Sequence, residues 1–504
     1  MIRTPVLIAG AGPSGLAVAI ELGRAGIPCC LVEPRTTVTT DRPRAKTTSA
    51  RTMELLRRWG LADQVRAAAP LPVSYSQDVV FCSRVTGHEI TRFSHAFGMY
   101  DGRRDELAEC GQQIPQPVVE AVLREAVREL PSVTFLTGQR LLSAKDGTGG
   151  VRAELSDDVV EAGYLIGCDG AAGLTRDAIG ARYEGSSGAL PNLNITFTAP
   201  GLTEDLLCAR AIHYWVLGAD VGGIVGPMDL DGTWWAIAQG VREGDPVALV
   251  RALLGRDLDV EVRATDPWSA RMMLADSYRG ERIFLVGDAA HLNPPWGGHG
   301  YNTSVGDAVN LGWKLAAVLQ GWGGPALLDS YEPERRPVAE QTIAAASAQE
   351  SRLARAFARA DLDTDPAARA EAAKALRAKE GEFHSLGLVL GYHYAASPLV
   401  TDDGSPVPEH DLLRYHGSGR PGMRLPHRWL PDGSSLYDHL GPGFTLLGNG
   451  NSAPLEREAA RLGIPFTVLP TGGESVLVRP DQHIAWRGTT PDPAVLRRAA
   501  GHFA

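Results

Sequence analysis

The residues of this chain best spaced for chemistry are a cluster of glycines and the acids that follow it. Gly10-Ala11-Gly12-Pro13-Ser14-Gly15 comes directly after the short apolar run Pro5-Val6-Leu7-Ile8-Ala9, and Glu33 closes a second apolar run 23 positions after Gly10. Gly10 permits a tight turn, Gly12 lets the backbone approach a pyrophosphate, and Gly15 lets a helix lie close on a strand. A helix opening at such a turn presents unpaired N–H groups to phosphates. A carboxylate at about this separation meets ribose hydroxyls. Two more acids end apolar runs farther on: Asp169 in Cys168-Asp169-Gly170, with Arg176 downstream, and Asp288 after Ile283-Phe284-Leu285-Val286-Gly287. The glycine motif points to a bound dinucleotide and leaves FAD and NAD(P) equally open.

Regular elements must hold these residues. The pattern predicts a helix through residues 16–22, stopped by Gly23 and Gly26. A second helix surrounds residues 51–56 and closes at Gly60. A third runs from Pro117 to Leu130, with a strand at 133–136 and an alternating strand at 151–155. Residues 190–270 turn β-branched and aromatic and read as a largely antiparallel sheet. An aromatic pocket on that sheet would draw on His213, Tyr214, Trp215, Met228, Trp234 and Trp235. Trp234 and Trp235 point to opposite faces, so at most one of them lines it. A Tyr or His here could take a phenolic proton. After Asp288 a proline- and glycine-rich loop leads to a helix over about 303–320, with Ser304-x-x-Asp307 as its capping box. Residues 340–385 are helical, and short strands return after 400.

Composition narrows the function. A formal charge of −10 argues against a nucleic-acid or anionic-membrane partner. Hydrophobic content of 44% with 21% charged residues fits a globular protein. The sequence has no run of 18 apolar residues. It opens on a strand without a signal-peptide pattern, so a cytoplasmic protein is expected. Six cysteines form no CxxC pair, and metal-ligand spacings are absent, so no metal is expected.

Three motifs occurring in order carry a resemblance. They are the glycine motif, Cys168-Asp169-Gly170, and Gly287-Asp288-Ala289-Ala290-His291-Leu292-Asn293-Pro294-Pro295-Trp296-Gly297-Gly298-His299-Gly300-Tyr301-Asn302 with Asp307, Asn310, Trp313 and Lys314. Together they resemble the class A flavoprotein aromatic monooxygenases, the para-hydroxybenzoate hydroxylase group, and within it the phenol hydroxylase and 2,4-dichlorophenol hydroxylase branch. The resemblance covers roughly residues 1–400, with a looser match in the tail. It implies FAD as resident cofactor, NADPH or NADH as reductant, O2, and a small phenolic or polycyclic aromatic substrate hydroxylated through a flavin C4a-hydroperoxide. It places cofactor contacts at Gly10, Gly12, Gly15, Glu33, Arg44, Gln116, Asp169, Asp288, Gly298, Gly300, Tyr301 and Asn302. Asp288 would bond a ribityl or ribose hydroxyl. Pro295 would set its carbonyl near the reactive edge of the ring, and Tyr214 and His213 are the candidate proton acceptors. His291 reads as a structural residue. The family's serine after Asp169 is missing, since Gly173 occupies that region.

The resemblance also implies the fold class: α/β, with a Rossmann-like FAD-binding domain, a largely antiparallel substrate-domain sheet and a thioredoxin-like C-terminal domain. The expected boundaries are 1–75, 101–180 and 271–395 for FAD, 76–100 and 181–270 for the substrate sheet, and 396–504 for the tail. The tail holds no cysteine, which excludes dithiol chemistry there. A single dinucleotide fingerprint implies that NAD(P)H docks transiently. A homodimer is compatible with the sequence. Two alternatives stay open: FAD-dependent Baeyer–Villiger oxidation or epoxidation of a polyketide-type substrate, and a non-enzymatic flavin-binding sensor.

Overall fold

The computed structural model describes residues 1–40, 45–147, 149–218, 220–350 and 359–503. The glycine motif sits at the centre of a seven-stranded sheet. Strand Ile2–Ala9 pairs in parallel with Cys29–Glu33 on one side and Val159–Gly167 on the other. Val133–Thr137 and Ile283–Leu285 extend the parallel set, and two antiparallel strands complete the sheet. Parallel strands buried on both faces read as continuous apolar runs, as Cys29–Val32 and Ile283–Leu285 do. Three chain segments ending in Gly10, Asp169 and Asp288 therefore finish on the same edge, where ligands of open α/β sheets bind.

Helix Pro13–Arg24 leaves the glycine turn and buries Leu16, Val18, Ile20 and Leu22 between the sheet and helices Gln116–Arg128 and Gly300–Leu319. Each such side chain stabilises the fold by about 1.5–3 kcal/mol. The helix does not stop at Gly23. A Cβ on that residue would lie 2.7 Å from Leu130, so the glycine serves close packing, and the chain turns at Gly26 instead. The second helix, Ala50–Trp59, closes at Gly60 in the left-handed conformation, as its sequence predicts.

The second sheet has eight strands and is mixed rather than purely antiparallel. Strand His213–Leu217 pairs in parallel with Val79–Cys82, and the other neighbours are antiparallel. A helix, Pro246–Leu254, which the β-rich composition hid, covers one face with Val250, Leu253 and Leu254. The other face carries Phe81, Trp215 and Trp235 under Leu376 and Phe383.

The long helix starts at Gly300, one turn earlier than expected, and the capping box does not form. Ser304 lies within the helix and donates to Gly300 O, while Asp307 faces His291 and Arg335. A third, four-stranded mixed sheet with helices Ala453–Leu462 and Pro493–Ala499 makes up the tail.

Candidate functional site

The glycine turn is built by exclusion of side chains. Gly10 has φ +100°, and a Cβ there would lie 2.3 Å from the Cys168 carbonyl oxygen. Gly15 packs beneath it, where a Cβ would lie 1.8 Å from Gly10 O. Gly12 differs, because a Cβ there would meet nothing within 4 Å. Its backbone fronts a cleft of about 780 Å3 that Gly10, Glu33 and Asp169 also line. Glu33 is buried and accepts from Ala11 N at 2.8 Å and Arg35 Nε at 2.7 Å. Burial would raise its carboxyl, but these bonds outweigh it and hold it low and ionised. Asp169 accepts from Thr175 N at 3.0 Å and Thr175 Oγ1 at 2.6 Å, and burial still raises it.

A second cavity, about 270 Å3, opens beside the first and shares Gln116, Asp288 and Tyr301 with it. Pro295, Gly298 and Gly300 form one wall, and the Pro295 carbonyl accepts from Gly298 N at 3.1 Å. The sheet supplies the opposite wall through His213, Trp215 and Trp235. Strand alternation decides the rest. Tyr214 and Trp234 point through the sheet into the far core, so Trp235 is the tryptophan of the pair that lines the cavity. Tyr214, expected as a proton acceptor, is thereby removed from the site, and its hydroxyl is spent accepting Ala211 N at 2.9 Å. His213 stays, with its Nε2 buried and without a protein partner, and burial pushes it down to about 3. It is neutral at any ordinary pH.

One other expectation changes. Asn302 uses its amide on the main chain, accepting from Ser49 N at 2.9 Å and donating to Thr47 O and Gly298 O at 3.0 and 2.7 Å. It fastens the loop from behind and does not line either cavity. Arg44 lies outside the described residues. His291 is structural as expected: Nδ1 meets Asn293 Oδ1 at 2.9 Å and Nε2 meets Asp307 Oδ2 at 2.7 Å. The sequence reading missed Lys46 and Glu382, which also line the small cavity. In the sequence Lys46 follows Arg42 and Arg44 and looks like part of an exposed basic loop.

The joined cavities fit an elongated dinucleotide with a flat ring at one end. Both helices that open onto them, Pro13–Arg24 and Gly300–Leu319, lack a side-chain cap at their N-termini. Ser49, Asp245, Asp365 and Asp492 cap helices elsewhere. Uncapped N–H groups facing a cleft are ready to bind phosphate or a ring carbonyl. Carboxylates at the strand ends suit ribose hydroxyls, and the void before Gly12 leaves room for a pyrophosphate. Among the described residues no cluster of His, Cys, Asp or Glu could hold a metal ion, and no helix is long and apolar enough to cross a membrane.

The chain is similar to known proteins over its whole length. Residues 3–346 match the family model described as FAD binding domain, and 418–503 match that of the aromatic-ring hydroxylase C-terminal region. The chain is 32% identical to 2,4-dichlorophenol 6-monooxygenase of Delftia acidovorans, over 97% of this chain and 95% of the relative. RebC soaked with chromopyrrolic acid and bearing 7-carboxy-K252c superposes over 100% of both chains, with a TM-score of 0.91 and 33% identity. The flavin-dependent monooxygenase PieE in complex with FAD and substrate also covers 100% of both, with a TM-score of 0.91 and 30% identity.

Proposed function

The chain belongs to the FAD-dependent aromatic-ring hydroxylases, and from that premise we propose the substrate class and the residues that serve it. The protein is an FAD-dependent monooxygenase that takes electrons from NAD(P)H. The substrate is a phenolic or polycyclic aromatic compound. The single observation that carries this choice is the small cavity itself: indole and alkyl walls from Trp215, Trp235, Ile224 and Ile237, interrupted by buried polar atoms that have no protein partner, His213 Nε2 and Trp235 Nε1. A flat apolar ring satisfies the walls, and an oxygen on that ring satisfies the polar atoms, each of which costs about 1–3 kcal/mol left unpaired.

Bound FAD supplies the redox chemistry, delivering one oxygen atom of O2 to the ring. The chain supplies placement. Gly10, Gly12 and the uncapped helix Pro13–Arg24 hold the pyrophosphate, with Gly15 packed beneath them. Glu33 takes a ribose hydroxyl. Asp169, Gln116 and Asp288 serve the flavin side, and Tyr301, Gly298, Gly300 and the Pro295 carbonyl bound the ring. Asn302 keeps that wall in register. The mostly apolar lining excludes water from the reacting atoms. The four-stranded tail is read as a thioredoxin-like domain that packs rather than reacts, because Ser475–Val478 and the following turn are tied into the FAD half.

The test is NADPH consumption by the flavin-loaded protein across a panel of phenols and polycyclic quinones, with products identified by mass and NMR. Stimulated consumption with a hydroxylated product is expected. Insertion next to a carbonyl to give an ester would replace this substrate reading with a Baeyer–Villiger one.

A further inference from the structure

We propose that Lys46 is the catalytic base of this site: it takes the proton of a substrate hydroxyl, so the cavity selects an aromatic ring carrying an ionisable oxygen and holds it as its anion. The proposal rests on the monooxygenase reading above and names the proton acceptor which that reading leaves open. Five ionisable side chains line the small cavity: Lys46, His213, Asp288, Tyr301 and Glu382. Four of them are unsuited. His213 is neutral and is pushed down to about 3, so it cannot keep a proton at neutral pH. The Tyr301 hydroxyl is engaged with Thr48 Oγ1 at 2.5 Å, and burial raises it beyond reach. Glu382 forms a buried ion pair with Lys379, whose ammonium also donates to Gln349 O at 3.0 Å. Asp288 lies on the wall shared with the long cleft, where the resemblance gives it a ribityl or ribose hydroxyl to hold.

Lys46 reaches the aromatic wall of the cavity. Its Nζ lies 4.2 Å from the centroid of the Trp235 ring. That indole also packs on Gly226 of the neighbouring strand, where a Cβ would come within 2.7 Å of Trp235 Nε1. His213 meets the same indole edge-on, with centroids 5.1 Å apart and planes at 86°. The lysine's backbone is fixed: its carbonyl accepts Ile114 N at 2.7 Å, and the next two residues pair with Gln112 and Gln113. Burial lowers the ammonium to about 8, which puts its neutral form within the working range.

The step balances. The substrate O–H bond breaks and an N–H bond forms on Nζ. The electron pair stays on the oxygen and spreads into the ring, enriching the ortho and para carbons. The new ammonium stays beside the oxyanion as its counterion. When product forms, the proton returns to its oxygen.

The probe is 4-nitrophenol, whose ionisation near neutral pH is visible in its absorbance, bound to the FAD-loaded protein. Wild type should hold it as the anion at a pH where the free compound is mostly neutral. K46M should bind it as the neutral phenol, and K46R should keep the anion bound. With a turnover substrate from the panel, kcat/KM should rise with pH through about 8 in wild type. It should lose that limb in K46R and fall by about 10^2–10^4 in K46M. A K46M protein that still ionises the probe, or a wild type that leaves it neutral, overturns the proposal. Failure to take up FAD or to oxidise NADPH with any of these proteins would instead sink the monooxygenase reading itself.

Discussion

Gly10 and Gly12 stand two positions apart and should respond differently to the same added methyl. At Gly10 it would collide with the Cys168 carbonyl in a left-handed backbone, so G10A should lower both stability and FAD uptake. At Gly12 it would enter open cleft, so G12A should melt like wild type without cofactor yet bind FAD at least tenfold more weakly. Paired melts and flavin titrations check this, and equal FAD affinity for G12A and wild type would mean that the pyrophosphate lies elsewhere. Tyr214 gives a second contrast. Its hydroxyl points into the far core, so Y214F should cost about 1 kcal/mol of stability and leave kcat within a few-fold. At this scale the sequence shows which residues alternate, but not which face meets the cofactor. Both faces of strand His213–Leu217 are apolar, so Tyr214 and His213 look equally eligible until the sheet is placed. Lys46 is illegible for a different reason: a lysine among arginines looks solvated, and only the strand pairing that follows it turns it inward.

Among the elements, the long helix carries the join between the FAD half and the tail. Asn310 and Lys314 on that helix donate to Glu334 at 2.7 Å, and Arg479 from the tail donates to the same carboxylate at 2.7 and 2.8 Å. Arg479 also bonds Asp481, which accepts Trp313 Nε1 at 3.2 Å. Burial alone would raise the Glu334 carboxyl, but Arg479 and Lys314 overcome it and hold it far below the usual range. E334Q takes the carboxylate from buried Lys314 and leaves Arg479 with Asp481 alone, and should destabilise the protein by about 3–5 kcal/mol in denaturant titrations. A carboxyl lowered on folding adds stability above its unfolded pKa, near 4, that is lost as pH falls toward its folded value. Wild type should therefore lose stability below about pH 4 more steeply than E334Q. The sequence displays Asp307, Asn310, Trp313 and Lys314 as a motif and Arg479-Pro480-Asp481 as a tail feature. Their meeting is a tertiary fact, set by packing across more than a hundred residues. The same distance misleads the capping-box reading of Ser304 and Asp307, since Arg335 and His291 claim the aspartate.

For the whole molecule, the seven- and eight-stranded sheets meet at one cleft, and the strand ends that converge were the most legible feature of the chain. A strand that ends in glycine or acid declares its edge, whereas the composition could not reveal the parallel pairing of His213–Leu217 or the helix Pro246–Leu254. Because the cleft lies between elements far apart in sequence, FAD should stabilise the entire fold: at 100 times its Kd it should add about 2.7 kcal/mol, seen as a concentration-dependent rise in Tm. The most direct measurement supplies the FAD-loaded protein with NADPH, a phenolic substrate and isotopically labelled O2, and follows the label into product. One labelled oxygen atom in each product molecule, with one NADPH consumed, is the predicted result. A protein that binds no flavin, or that consumes NADPH and releases only hydrogen peroxide with every substrate of the panel, would contradict it.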